Sequence, residues 1–200
     1  AGAEEILRSE GELIVLIGPG SLGDGGRVTR PVEIRKIMAL DAAAGDKHWE
    51  ASDVVAAGTM AVDGEHVYYF NFDSKRAKCL DRKSGNVAWT SQPLPSPAKQ
   101  TSFFSSRLVV QDGVVLFASG EFSGMTKSGG GAGRADTLTA LSAEMGQTMW
   151  TGKHLPSGYS SPENLFVIDG IVWCDSSSNG KLDGTVVGMD LKTGQIKRQF

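Results

Sequence analysis

The chain has 200 residues, 40% hydrophobic and 22% charged, with 26 glycines and a formal net charge of −3. That balance lacks the basic footprint of a nucleic-acid binder, and no apolar run approaches the roughly 20 residues of a membrane-spanning helix. Cys79 and Cys174, the two cysteines, stand far apart and outside any C-x-x-C or C-x-x-C-H pattern, which argues against c-type haem attachment.

So many glycines predict frequent tight turns between short strands. The first strands flank Ser9-Glu10-Gly11 and continue through Leu13–Ile17. Gly18-Pro19-Gly20-Ser21-Leu22-Gly23 follows, a literal G-x-G-x-x-G after a strand, with Asp41 downstream where a ribose-binding carboxylate would stand. The dinucleotide reading fails locally. Asp-Gly-Gly-Arg comes after Gly23 and Pro31 soon after that, so no helix begins where a pyrophosphate needs its N-terminus.

Asp41 belongs instead to the first of four like segments. Ile37–Trp49 reads IMALDAAAGDKHW, Ala77–Trp89 AKCLDRKSGNVAW, Leu138–Trp150 LTALSAEMGQTMW and Val186–Arg198 VVGMDLKTGQIKR. Each is strand, polar turn ending in glycine, strand; the turn glycines Gly45, Gly85, Gly146 and Gly194 are spaced 40, 61 and 48 residues apart. A second hairpin precedes each. Val62-Asp63-Gly64 leads into HVYYF, Gln111-Asp112-Gly113 into VVLFA, and Ile168-Asp169-Gly170 into IVWC. Asp-Gly between such runs is a strong hairpin signal. Two hairpins, hence four strands, in each repeat of this length is the period of a β-propeller blade. No window sustains a 3.6-residue periodicity, so the chain reads as all-β.

The pattern A-L-D-x-x-x-G-x-x-x-W resembles the blade signature of the PQQ-like, quinoprotein-type propellers. The resemblance covers about four blades, near residues 3–50, 54–90, 101–151 and 159–200. It implies that Trp49, Trp89 and Trp150, closing strand D, dock against the neighbouring blade; Arg198 breaks that pattern. Ser142 replaces the aspartate of the other three turns, which predicts a less regular turn there. Propellers of this kind commonly close with seven or eight blades. The chain is therefore expected to be part of a larger ring, its remaining blades supplied by the same parent chain or by another chain; the alternative is a closed four-bladed ring. No basic, apolar leader opens the sequence, so a signal peptide is expected to be absent or removed. The resemblance also implies a periplasmic or extracellular location.

Label the strands of a blade A to D. Antiparallel connectivity puts the A–B and C–D turns on one face and the B–C and D–A loops on the other. The long insertions, Gly18–Lys36, Ser119–Asp136, Asp175–Gly184 and Thr90–Gln100, all fall on the second face, which marks it as the expected binding surface. Arg27, Arg30, Arg134, Asp136 and Tyr159 are its candidate contact residues for a protein or glycan partner. Asp175, Ser177 and Asn179 before Gly180, with Asp183 beyond, partly imitate a calcium loop, but Val186 stands where a bidentate carboxylate is needed, so a polar turn is the better reading. The glycine run 129–133 lacks the G-K-[ST] of a phosphate cradle. His48, His66 and His154 show no metal-ligand spacing. Cys79 and Cys174 read as small buried hydrophobes, with no base nearby in sequence to make either a nucleophile.

Three functions compete. A non-catalytic scaffold needs only the looped face. A quinone-dependent dehydrogenase would, by the resemblance, need PQQ over a Trp floor, an adjacent cysteine pair, calcium with its ligands and a catalytic Asp; the cysteine pair is missing. The third is an accessory propeller fused to another enzyme. No catalytic residue is assigned.

Overall fold

The computed structural model describes residues 2–19, 33–96, 106–119, 137–153, 165–175 and 185–200. These form four antiparallel four-stranded sheets and, among the described residues, no helix. The first sheet is β1 (Gly2–Ser9), β2 (Glu12–Gly18), β3 (Arg35–Asp41) and β4 (Lys47–Asp53). Next come β5 (Ala61–Val62), β6 (His66–Asn71), β7 (Arg76–Asp81) and β8 (Val87–Pro93), then β9 (Arg107–Gln111), β10 (Val114–Ser119), β11 (Thr137–Ser142) and β12 (Thr148–Lys153). The last is β13 (Leu165–Ile168), β14 (Ile171–Asp175), β15 (Val186–Asp190) and β16 (Ile196–Gln199). Every sheet is an A-B-C-D meander, the unit of a propeller blade.

Local chemistry fixes both hairpins of a blade. In three A–B turns the two central residues take positive φ: Glu10 and Gly11 (44° and 84°), Asp112 and Gly113 (48° and 74°), Asp169 and Gly170 (50° and 71°). This is the type I′ turn, whose twist matches that of the flanking strands. Blade two departs from it. Gly64 is not among the positive-φ glycines, and the Asp63 carboxylate accepts from the backbone N–H of Glu65 and His66 at 2.9 and 2.7 Å. The hairpin keeps its length, Asp63 N–H donating to His66 O across two central residues, but its Asp-Gly pair stands one position earlier, so that Tyr69, not Tyr68, is the counterpart of Phe117 and Cys174.

In the C–D turns, Asp41 Oδ1 accepts from Ala43 and Ala44 N–H, Asp81 Oδ1 from the Ser84 N–H and hydroxyl, and Asp190 Oδ1 from Lys192 and Thr193 N–H. Ser142 accepts one such bond, from Met145 N–H at 3.3 Å. The backbone of its turn is nonetheless regular: Ser142 N donates to Gln147 O and Gly146 N to Ser142 O, as in the other three. The substitution removes side-chain caps and leaves the backbone ring intact.

Strand D then bulges at the same place in every blade. Register slips between Ala39 and Leu40, Cys79 and Leu80, Ala140 and Leu141, and Gly188 and Met189, opposite the extra residues His48, Ala88, Met149 and Lys197. A bulge re-aims the side chain that follows it. That side chain is Trp49, Trp89, Trp150 or Arg198.

The core lies between blades. Ile14, Leu16, Ile37 and Ala39 of blade one pack against Val67, Tyr69 and Leu80 of blade two. Tyr68, Phe70 and Cys79 meet Val115, Phe117 and Leu141, with Phe70 and Phe117 stacked at 4.4 Å between ring centroids. Leu116, Leu138 and Ala140 meet Val172, Cys174 and Met189. Each large apolar side chain so buried contributes roughly 1.5–3 kcal/mol. Inner strands touch in the order β1, β5, β9, β13; no contact of similar extent returns from β13 to β1 among the described residues.

Candidate functional site

Two faces of the arc differ in construction. One holds the A–B and C–D turns. The other receives the B–C connections 19–34, 120–136 and 176–185 and the D–A connections. Only in blade two is the B–C connection short, spanning residues 72–75.

The described part of this second face is cross-tied. Asp53, at the end of β4, accepts from Tyr69 Oη and Lys78 Nζ, each at 2.7 Å, and from Asn71 Nδ2 and Val54 N–H at 2.6 and 2.8 Å. Burial resists ionisation of this carboxyl, but the bonds from Lys78, Tyr69 and Val54 outweigh it and hold Asp53 below the usual aspartate range. Asn71 passes the constraint on, its Oδ1 accepting from Ser74 N–H and Oγ in the short turn. Arg35, first residue of β3, is buried; its Nε donates to Glu4 Oε2 at 2.7 Å and its Nη1 to Val55 O at 3.1 Å. Glu5 accepts from the N–H of Gly58 and of Met60. Blades one and two are thus locked together at the base of the long connections, which suits a rigid platform for loops. Sequence reasoning missed Arg35, Asp53 and Lys78: no spacing marks Asp53 and Lys78, 25 positions apart across a blade junction, or Arg35 and Glu4, 31 apart within blade one.

Of the candidate contact residues, Arg27, Arg30, Arg134, Asp136 and Tyr159 lie outside the described residues, as do Asn179, Asp183 and His154. Asp175 ends β14, and its side chain is likewise undescribed. The tryptophans sit at the opposite, turn-bearing side of each junction. Trp49 Nε1 donates to Arg82 O at 2.6 Å, Trp89 to Ala143 O at 2.8 Å, and Trp150 to Leu191 O at 2.9 Å. Each ring covers the next blade's turn glycine: Gly85, Gly146 and Gly194. Trp173 is placed differently, on β14, stacked with Phe200 at 6.4 Å and lying over Gly188.

His48 Nδ1 lies 2.7 Å from Glu12 Oε1, on a half-exposed surface. No group of three His, Cys, Asp or Glu suited to a metal ion occurs among the described residues. Cys79 and Cys174 are free and buried in two different junctions. Burial, aided by Asp63 and Asp81, pushes the Cys79 thiol up to about 12, far from a reactive thiolate. The described residues therefore do not fit a quinone site: the cysteines are not adjacent, and three tryptophans are committed to turn carbonyls.

The family model described as outer membrane protein assembly factor BamB matches residues 35–199. BamB from Moraxella catarrhalis superposes with a TM-score of 0.53 at 18% identity, covering 98% of this chain and 50% of that one. The quinohemoprotein alcohol dehydrogenase from Comamonas testosteroni gives 0.61 at 16% identity, covering 100% of this chain and 35% of that one. The computationally designed Ika4 protein gives 0.56 at 12% identity, covering 96% and 92%. No curated protein sequence matches the chain. The chain thus spans about half the length of the BamB structure and about a third of the dehydrogenase, and at these identities the likeness speaks to the fold. Repeated blades, repeated docks and a family match over most of the length agree, and the chain belongs to the PQQ-like β-propeller family of the outer membrane protein assembly factor BamB.

Proposed function

We propose that this chain is a non-catalytic scaffold that binds a protein partner on the face carrying the B–C and D–A connections, in a periplasmic or extracellular setting. The observation that supports it most is the asymmetry of the blades: tight turns on one side, and on the other the long connections, joined to strands that Asp53, Lys78, Arg35 and Glu4 tie together. A rigid scaffold with its variable segments on one side is the usual arrangement of a recognition surface. The relation to an assembly factor favours a protein over a glycan as the partner.

The test has two arms. The protein is titrated with an unfolded outer-membrane β-barrel polypeptide and with a soluble oligosaccharide, using Arg27→Glu, Arg30→Glu and Arg134→Glu together against Lys83→Glu on the turn face. Binding of the polypeptide, lost in the triple variant and kept in Lys83→Glu, is the expected result; binding of the oligosaccharide alone overturns the choice of partner. The second arm adds PQQ with calcium. A stoichiometric, tightly held chromophore together with alcohol oxidation would replace the scaffold reading with a dehydrogenase.

A further inference from the structure

Each blade ends in an outer strand, β4, β8, β12 or β16, with a sheet partner on one side only. Neighbouring blades join through their sheet faces, so the free side of strand D stays open however many blades a ring contains. Such an edge carries free backbone donors and acceptors, and proteins guard it with charge, proline or bulges. The four edges are guarded unequally.

β4 sets Lys47, His48 and Glu50 around Trp49, with Glu50 paired to both Lys36 and Lys47. β16 carries Lys197 and Arg198. β8 has no charge, but its pairing with β7 slips twice, between Arg76 and Lys78 and between Cys79 and Leu80, and it ends on Pro93. β12 has only the bulge that every strand D shares. From Trp150 to Lys153 it pairs with β11 without a slip, and TMWTG, residues 148–152, holds neither charge nor proline. Met149 and Thr151 stand where β4 has His48 and Glu50.

Side chains along β12 alternate. Trp150 and Gly152 are half-buried on the side of blade four, Trp150 bonded to Leu191 O and Gly152 close to the Met189 sulfur. Met149, Thr151 and Lys153 are exposed. Met149 is 42% exposed, and Met145 in the turn before the strand 54%. Methionine is a flexible apolar contact suited to adaptable recognition. Lys153 is the one charge on the strand, and no carboxylate among the described residues pairs with it. An occupant of this edge must supply backbone bonds at strand spacing, apolar side chains beside the methionines and a carboxylate at Lys153.

We propose that the outer edge of β12 is a strand-addition site. It takes an extended segment of a partner polypeptide as a fifth strand, apolar where it passes Met149 and acidic where it reaches Lys153. Alternate residues of Trp150–Lys153 turn their N–H and C=O outward and form the pairing. These bonds give affinity, while the methionines and Lys153 set register. The site uses no residue of the looped-face reading, and the two stand or fall separately.

The probe is a short, end-capped peptide of alternating valine and threonine, with glutamate as its first or its last residue. It is titrated into the full chain and followed by amide NMR. Saturable shifts and slowed exchange centred on β12 are expected, with one glutamate position preferred. A peptide N-methylated along its pairing edge should bind about tenfold more weakly or worse, because the donors are gone. Thr151→Glu, which gives β12 the residue of β4, should weaken binding by about the same factor. Lys153→Glu should reverse the preference between glutamate and lysine at the peptide end. Equal binding of the N-methylated peptide, shifts spread over all blades, or no binding at millimolar peptide overturns the proposal. Self-association through β12 in place of peptide uptake overturns the choice of occupant in favour of a second copy. Circular dichroism of both variants, expected unchanged, separates lost binding from lost folding.

Discussion

The indole N–H of Trp89 donates to the carbonyl of Ala143 at 2.8 Å, reaching from strand D of one blade into the C–D turn of the next. The same bond recurs from Trp49 to Arg82 and from Trp150 to Leu191, so the link belongs to the repeat. Trp89→Phe keeps an aromatic ring but loses the donor to a turn carbonyl in a part-buried junction. The expected loss is about 2–4 kcal/mol, combining the smaller ring with the orphaned acceptor. A urea midpoint that falls with an unchanged slope would report this as lost stability and not as a changed unfolded state. An unshifted midpoint would mean that the dock contributes nothing.

The glycine beneath each ring is needed for two reasons that substitution can separate. Gly194 has φ +69°, and a Cβ there would lie 2.6 Å from Trp150 ring atoms; Gly170 in the same blade has φ +71° and open space around it. Gly170→Ala therefore measures left-handed strain alone, about 1–2 kcal/mol. Gly194→Ala must also displace the indole and is expected to cost about 1–3 kcal/mol more. Equal losses in thermal or urea unfolding would show that the tryptophan yields freely, which would contradict a specific dock.

Blade architecture was legible in the sequence because it rests on local signals. Asp112-Gly113 and Asp169-Gly170 force I′ hairpins within a few residues, and Asp41, Asp81 and Asp190 cap their own turns. The earlier placement of Asp63-Gly64 in its hairpin was not legible, because an Asp-Gly pair signals a turn without fixing whether the aspartate caps the turn or stands at its centre. The ties that join blades were hidden for another reason. Arg82 and Glu12 are 70 residues apart, and nothing in the spacing of either announces the other. The looped face was inferred from connectivity, whereas its contact residues fall outside the described segments.

That Arg82 pair yields a prediction of coupling. Its Nε donates to Gly64 O at 2.8 Å and its Nη2 to Glu10 Oε2 at 2.9 Å, while Nη1 meets Glu12. Side chains of Arg82 and Glu12 are 7% and 14% exposed, but Glu10 is 66% exposed and contributes little. Blades three and four place Ala143 and Leu191 at this position, so the fold itself does not require a cation there. Arg82→Leu alone is expected to cost about 2 kcal/mol, because it strips the part-buried Glu12 carboxylate of its guanidinium and leaves it His48 Nδ1. Adding Glu12→Gln removes the carboxylate's charge, and the double variant should lose about 1–3 kcal/mol less than the two single losses added together. Strict additivity in the cycle would mean that the two side chains are not coupled.

Acid should release the tie at Asp53. Its carboxyl is held below the ordinary value of 3.8 despite burial, which is the largest single influence and acts the other way; the bonds from Lys78, Tyr69 and Val54 prevail. A depressed folded value means that the stabilisation is fully present above the ordinary aspartate range and is lost as pH falls through the folded value. Asp53→Asn cannot titrate and cannot pair with Lys78, whose side chain is 23% exposed. The variant should therefore be less stable than wild type at neutral pH, and the gap should narrow as the solution is taken to about pH 3. Asp41, Asp81 and Asp190 are also depressed, by the hydrogen bonds of their own turns. They are present in both proteins, so their titration cancels in the difference. Urea midpoints for the pair across this range isolate Asp53, and a gap that stays constant with pH would assign its role to packing in place of charge.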